Sequence, residues 1–149
     1  MKIAIANDHA ALKLKNELMA YLDSIGVEYI NFGTDSLETV DYPIYAFKAA
    51  QAVISGQCDK GIVLCGSGIG MSLAANKVKG IRCALCSEPY SASMAVQHNN
   101  ANMLAMGERV VGVEVAKTVV KAYLESEFEG GRHVKRLGMI DKIENGEEI

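Results

Sequence analysis

The run Cys65-Gly66-Ser67-Gly68-Ile69-Gly70 follows the apolar stretch Gly61-Ile62-Val63-Leu64 and leads into Met71-Ser72-Leu73-Ala74-Ala75-Asn76-Lys77. The apolar stretch reads as a buried strand and the segment beyond the glycines as a helix, so the thiol stands at a strand-to-helix turn. Closely spaced glycines let the backbone turn tightly with several N–H groups pointing one way, an arrangement that binds phosphate or a developing oxyanion. Those N–H groups also favour thiolate over thiol, which makes Cys65 a candidate base or nucleophile. Ser67 adds a hydroxyl within the loop, although a small residue there also suits the turn. The loop has neither Gly-x-Gly-x-x-Gly spacing nor the lysine of a P-loop, which argues against a nucleotide site.

Other residues carry chemistry elsewhere in the chain. Asp8 and His9 end the first apolar run; Asp8 equally suits a helix N-cap, whereas His9 has no such structural reason to be there. His98 offers an imidazole, the usual proton-transfer group near neutral pH, within Gln97-His98-Asn99-Asn100-Ala101-Asn102. The asparagines of that stretch read more simply as a helix-ending loop. Arg132 and Arg136 are four apart, so on a helix they project to one side and could clamp a phosphate; the alternative is a solvated helix face. Cys83 and Cys86 match Cys-x-x-Cys, but on a strand residues three apart face opposite sides, so two buried small cysteines are expected rather than a metal or redox pair. No His/carboxylate metal cluster is evident, and no metal or cofactor is expected.

Apolar runs of about five residues alternate with longer amphipathic stretches, the pattern of successive βα units in an α/β fold with a parallel sheet. The spacing predicts strands over Lys2–Asn7, Val27–Phe32, Lys60–Cys65, Arg82–Cys86 and Asn102–Ala105. Helices are predicted over Ala11–Ser24, Tyr42–Ser55, Ile69–Lys77, Pro89–Gln97 and Val113–Glu125. The first helix places Leu14, Leu18, Tyr21 and Leu22 on one side and Lys13, Lys15, Asn16 and Asp23 elsewhere. In an open parallel sheet ligands sit outside the carboxyl ends of the strands. Asp8-His9, Cys65 to Gly70, Ser87-Glu88 and Gly107-Glu108-Arg109 all fall there. Past the glycine hinge Glu129-Gly130-Gly131, a further helix over Arg132–Ile143 is expected to reach a neighbouring subunit.

The 149 residues read as a single domain with enough apolar content to build a core unaided. Fifteen basic against 18 acidic side chains, a formal charge of −3, give no basic surface for nucleic acid. The strand-like start is too short for a signal peptide and no apolar run reaches membrane length, so a cytoplasmic protein without membrane partners is expected.

Taken together, Asn7-Asp8-His9-Ala10-Ala11, Asp41-Tyr42-Pro43, the Cys65 to Gly70 loop with Ala74-Ala75-Asn76-Lys77, Gly80-Ile81-Arg82, His98 to Asn102, Gly107 to Gly112 and Glu129-Gly130-Gly131-Arg132-His133 with Arg136 carry a resemblance covering nearly the whole chain. The sequence resembles the type B ribose-5-phosphate isomerase family, which includes the subunits of galactose-6-phosphate isomerase. The resemblance implies a Rossmann-like three-layer αβα sandwich with a five-stranded parallel sheet, and a metal-independent aldose–ketose isomerase acting on a phosphosugar. It also implies a homodimer or tetramer whose active sites draw on two subunits. Cys65 is then the base that moves the proton, His98 the acid that opens the furanose ring, and Gly66, Ser67, Gly68, Ile69 and Gly70 the oxyanion cradle, with Ser67 relaying hydroxyl protons. Asp8 and His9 contact the substrate, Asn99 and Arg109 come from the partner subunit, and Arg132 and Arg136 hold phosphate. The chain departs from many relatives in carrying Ala10 and Ala11 for glycines, and it has Met71 where some use a glutamate base. Isomerisation of ribose 5-phosphate is the leading reading, with galactose 6-phosphate or allose 6-phosphate as alternative substrates and a non-catalytic sugar-phosphate or nucleotide binder as the alternative class.

Overall fold

The computed structural model describes residues 1–149. Five strands, β1 (Lys2–Asn7), β2 (Glu28–Asn31), β3 (Lys60–Cys65), β4 (Cys83–Leu85) and β5 (Met103–Gly107), form one sheet. Its order is β2-β1-β3-β5-β4 and every neighbouring pair is parallel. The helices are α1 (Leu12–Ser24), α2 (Tyr42–Ile54), α3 (Ile69–Ala75), α4 (Pro89–Gln97), α5 (Val113–Glu125) and α6 (Arg132–Glu144), with a 3-10 turn at His9–Ala11 before α1. Parallel pairing demands a crossover after each strand, and helices supply it on both faces.

Alternation along the strands sorts the core into two layers. Ile3, Ile5, Ile62, Leu64, Leu104 and Met106 face a large-residue core beneath α1, α4 and α5. Ala4, Ala6, Val63, Cys65, Met103 and Ala105 face the other side, where α2 presents Ala46, Ala49 and Ala50. Small residues on both partners let α2 lie close against the sheet. Cys83 packs on this second face and Cys86 on the first, so the Cys-x-x-Cys sulfurs are separated by the sheet as their spacing requires. Burial pushes the Cys83 thiol up to about 12 and that of Cys86 up to about 11.

The element boundaries differ from expectation where side chains substitute for the ladder. Strand β5 runs on to Gly107 because β3 continues beside it, pairing Leu64 with Met106 and Cys65 with Gly107. Helix α3 stops at Ala75, and the Asn76 amide bonds the backbone of Cys83 in both directions, at 2.8 and 2.9 Å, in place of a further strand at the β4 edge. Lys15, predicted on the polar side of α1, is fully buried. Its ammonium donates to Thr34 O at 2.7 Å and pairs with the Asp35 carboxylate, fastening the loop after β2 to α1.

The C-terminal helix packs against its own chain; a reach to a partner is not shown. His133 and Leu137 are buried, Gly80 N donates to the Glu144 carboxylate at 2.9 Å, and Arg82 lies 3.8 Å from Asp141. Helix α6 therefore passes under the amino ends of β5 and β4, leaving Val134, Ile140 and Ile143 exposed. No helix is long and apolar enough to cross a membrane.

Candidate active site

The strand order reverses between β1 and β3, and the crevice at the carboxyl ends of such neighbours is where open α/β sheets bind ligands. A cavity of about 410 Å³ lies there. Asp8 and His9 from the β1 end form one wall; Cys65, Gly66, Ser67 and Gly70 from the β3 end form its floor; Arg109 and Val110 close it beyond β5.

The loop after β3 is shaped by two glycines. Gly68 has φ +79°, and a Cβ there would stand 2.5 Å from Leu85 Cδ1 and 2.8 Å from the Met106 carbonyl carbon. At Gly107 a Cβ would fall 2.5 Å from the Ser67 carbonyl carbon, so β5 needs a bare Cα to let the loop settle on it. The result turns the Gly68 N–H onto Cys65 Sγ at 3.1 Å. Cys65 is 6 % exposed, at the edge between core and cavity. Arg109 lies over Gly66, its guanidinium 3.3 Å from where a Cβ would be.

Asp8 caps the 3-10 turn, accepting from Ala10 N at 2.9 Å, so the capping reading holds while the residue also lines the cavity. His9 does have a structural partner, contrary to the sequence reading: Nδ1 accepts from Val40 N at 3.2 Å. That bond leaves the proton of a neutral ring on Nε2, a donor for an anion. Glu108 accepts from Leu14 N at 2.8 Å and ties α1 to the end of β5. Glu88 caps α4 through Ser91 N at 2.9 Å and lines no part of the cavity. Tyr42, to which the sequence reading gave no role, contributes a ring that packs on Gly70 and lines the pocket. Its position at the start of α2, before Pro43, was the available signal.

The remaining predicted site residues lie at the other end of the sheet. Helix α4 descends from β4 and ends at His98, just before β5 begins. The five residues of β5 then span about 16 Å before reaching the level of Cys65. Asn99 is exposed beside a separate cavity of about 380 Å³ with Arg82 and Leu137. Arg132 and Arg136 stand exposed on the first turns of α6. One chain thus joins Asp8, His9, the Cys65 to Gly70 loop and Arg109, and does not join His98, Asn99, Arg132 or Arg136 to them. Arg109 lines the cavity of its own chain, where the sequence reading expected it from a partner subunit.

At this lower end Glu129 N donates to Gln97 O at 3.0 Å, pinning the glycine hinge to α4. His98 and His133 stack with centroids 4.4 Å apart and planes at 11°. Both rings turn Nε2 toward one Glu129 oxygen, at 3.7 and 3.8 Å. Burial, then the neighbouring His98 and Arg132, push the His133 imidazole below its usual range, against the pull of Glu129. The sequence showed no His/carboxylate cluster because its members come from two distant segments; the fold assembles one, with His98, Glu129 and His133 ligand atoms all within 4.8 Å of each other.

A parallel α/β sheet with a thiol, glycine-loop amides and cationic donors at its switch point defines a small-molecule enzyme fold with a pocket suited to anions. The family model for Ribose/Galactose Isomerase matches residues 3–140, and the chain belongs to that family. It is 52 % identical over 143 residues, 96 % of either chain, to ribose-5-phosphate isomerase B of Escherichia coli. It is 42 % identical over 149 residues, 99 % of this chain and 98 % of the other, to D-erythrulose-4-phosphate isomerase of Pectobacterium atrosepticum. The solved ribose-5-phosphate isomerase B of Clostridium thermocellum superposes with a TM-score of 0.96 at 52 % identity, covering 98 % of this chain and 99 % of that one. These relatives are sugar-phosphate isomerases.

Proposed function

We propose that this chain interconverts ribose 5-phosphate and ribulose 5-phosphate through an enediolate. The observation that carries the reading is the Cys65 sulfur at the floor of the cavity, touched by a loop N–H and faced by His9 and Arg109. Moving a proton between adjacent carbons needs one base at the reacting carbon and donors aimed at the developing O⁻. Cys65 takes the proton from C2 of the open aldose and returns it to C1, while the N–H groups of Gly66 to Gly70 hold the enediolate oxygen and Ser67 passes protons between the hydroxyls. Asp8 and His9 grip the sugar, and binding energy from its distal phosphate positions the reacting carbons. Amide donors can carry the oxyanion charge themselves, so the scheme uses no metal.

Opening the furanose needs an acid, the role assigned to His98, and the phosphate needs the Arg132 and Arg136 clamp. Their position at the opposite end of the same sheet supports a site completed by a second copy, which brings its lower end, with Asn99, to the cavity of the first. The D-erythrulose-4-phosphate relative favours a second reading, the same chemistry on a different phosphosugar. Steady-state assays of the purified chain with chelator present, against ribose 5-phosphate, allose 6-phosphate, galactose 6-phosphate and erythrulose 4-phosphate, decide between them. Highest kcat/KM on ribose 5-phosphate is expected; turnover of another sugar alone moves the assignment to that sugar, and no turnover of any leaves a binding module.

A further inference from the structure

We propose that Glu129 and His133 are positioning residues for His98: the His133 ring fixes the plane of the His98 imidazole, and the Glu129 carboxylate supplies the counter-charge for its protonated form. The inference rests on the reading of His98 as the acid that opens the furanose ring. An acid works only when it is both charged and aimed. His98 follows the last residue of α4 with 36 % of its side chain exposed, so neither is secured by the helix alone.

The glycine hinge brings both partners to the ring. Gly130 and Gly131 have φ of +66° and +56°, and this reversal is braced by Glu129 N donating to Gln97 O at 3.0 Å and His133 N donating to Gly130 O at 3.1 Å. Glu129 before the reversal and His133 after it therefore converge on the residue that follows Gln97. His133 is buried and cannot swing away, and its ring lies on that of His98 with centroids 4.4 Å apart and planes at 11°. Parallel rings keep their in-plane lone pairs side by side, so the pair does not converge on one metal ion. What the stack does fix is the orientation of the more open ring.

The Glu129 carboxylate lies 3.7 Å from His98 Nε2 and 3.8 Å from His133 Nε2, a charge contact rather than a hydrogen bond. Burial, then His98 and Arg132, push the His133 imidazole below its usual range, and Arg136 adds to this against Glu129. His133 is thus the neutral plate of the stack, and the proton falls to His98. The last turns of α4, Ala92 to Gln97, carry no charge, and α5, packed on α4, pairs Lys117 and Lys121 with its own Glu114 and Glu125. Glu129 is therefore the carboxylate that offsets Arg132 and Arg136 beside the protonated ring.

Two assays of the full chain test these roles: conversion of ribose 5-phosphate, which needs the ring opened, and solvent exchange of the C1 proton of ribulose 5-phosphate, which cannot close a furanose ring. His98→Asn is the reference, expected to lose conversion and to spare exchange. Glu129→Gln, at a half-exposed position, should show the same split, with conversion down about tenfold and exchange within about twofold of wild type. Its deficit relative to wild type should shrink as the pH is lowered to about 6, where an imidazole gains its proton unaided. His133→Phe, which keeps a flat ring in the stack, should retain most of the conversion that His133→Ala loses, compared where both melting curves match wild type. Unchanged conversion or equal losses in the two assays for Glu129→Gln, a deficit constant with pH, or His133→Ala as active as His133→Phe would each overturn the positioning roles and leave His98 in place. A His98→Asn chain that loses both activities equally overturns the reading of His98 itself, and this inference with it.

Discussion

The two ends of the sheet carry chemically similar side chains and hold them in different ways. At the carboxyl ends, each site residue extends a strand whose ladder continues past it: Asp8 N bonds to Leu64 O at 3.1 Å, Glu108 N to Cys65 O at 2.9 Å and Arg109 N to Gly66 O at 3.0 Å. At the amino ends, His98 and Asn99 follow a helix terminus and Arg132 and Arg136 follow a glycine hinge, held to the body by the Glu129 N to Gln97 O bond, the histidine stack and the packing of α6 through Leu137 and Glu144 rather than by a strand ladder. A base that must meet one carbon needs the first kind of support, since small displacements at the reacting atom are costly. An acid and a phosphate clamp presented to another molecule can use the second. The upper end is a finished pocket and the lower end is the complementary surface, on the reading proposed here.

The largest expected effect separates chemistry from binding at the upper end. Cys65→Ala should lower kcat by about a thousandfold or more, ~4 kcal/mol of barrier, while phosphosugar affinity measured by calorimetry changes little. Retention of more than about a tenth of wild-type kcat would remove Cys65 from the role of base.

Mixing crippled chains breaks or confirms the division between the two ends. In a heterodimer of Cys65→Ala and His98→Asn chains, a shared site leaves one centre with both lesions and the other intact, restoring up to about half of the activity per heterodimer. Cys65→Ala with Arg109→Ala should show no such recovery, because both residues line the pocket of one chain. Recovery in the second mixture, or in neither with heterodimers shown by native mass spectrometry, would refute this geometry.

The sequence made the upper end legible because every residue there follows a strand, and strands declare themselves by apolar runs. The bounds of β1, β3, α4 and α5 match the expectation residue for residue. What sequence could not show was the strand order, which no local pattern encodes and which sets the switch point between β1 and β3; His98 lies at the opposite end from Cys65 because it precedes β5, whereas Cys65 ends β3. Lys15 was misread for a related reason: a helical wheel places it among polar neighbours, but its partners Thr34 and Asp35 lie in a loop whose path depends on β2 pairing with β1. Tyr42 and the His98–Glu129–His133 trio are likewise products of tertiary packing.

A smaller effect tests how rigid the upper loop must be. Gly68→Ala forces a Cβ into a backbone with φ +79° and against both Leu85 and Met106. Strain of this kind costs about 1–3 kcal/mol, and the crowding adds to it. Urea unfolding should show a loss of about 2–4 kcal/mol together with reduced turnover, since the Gly68 N–H no longer meets the Cys65 sulfur. Unchanged stability would mean that the loop can reshape at no cost and that the N–H contact is not fixed.

The smallest effect concerns the wall that holds His9. The loop after β2 carries Val40, whose N–H bonds to His9, and it is fastened to α1 by Lys15 through Thr34 and Asp35. The hydrogen bond from Lys15, aided by one from Asn31, holds the Asp35 carboxyl below the usual carboxylate range. A carboxylate whose pKa is lower folded than unfolded adds stability that is complete above the unfolded value, about 3.9, and is lost as pH falls through the folded one. Asp35 is 74 % exposed, so solvent screens much of the attraction, and Asp35→Asn should cost only about 1 kcal/mol at pH 7. The difference between variant and wild type should begin to shrink as the pH falls below about 3.9 and close once it passes the lower folded value, where wild-type Asp35 is protonated and equally uncharged. A gap that persists in acid would show that the pair is held by packing of Lys15 rather than by charge, and a raised KM in the variant would show that the His9 wall loosens with it.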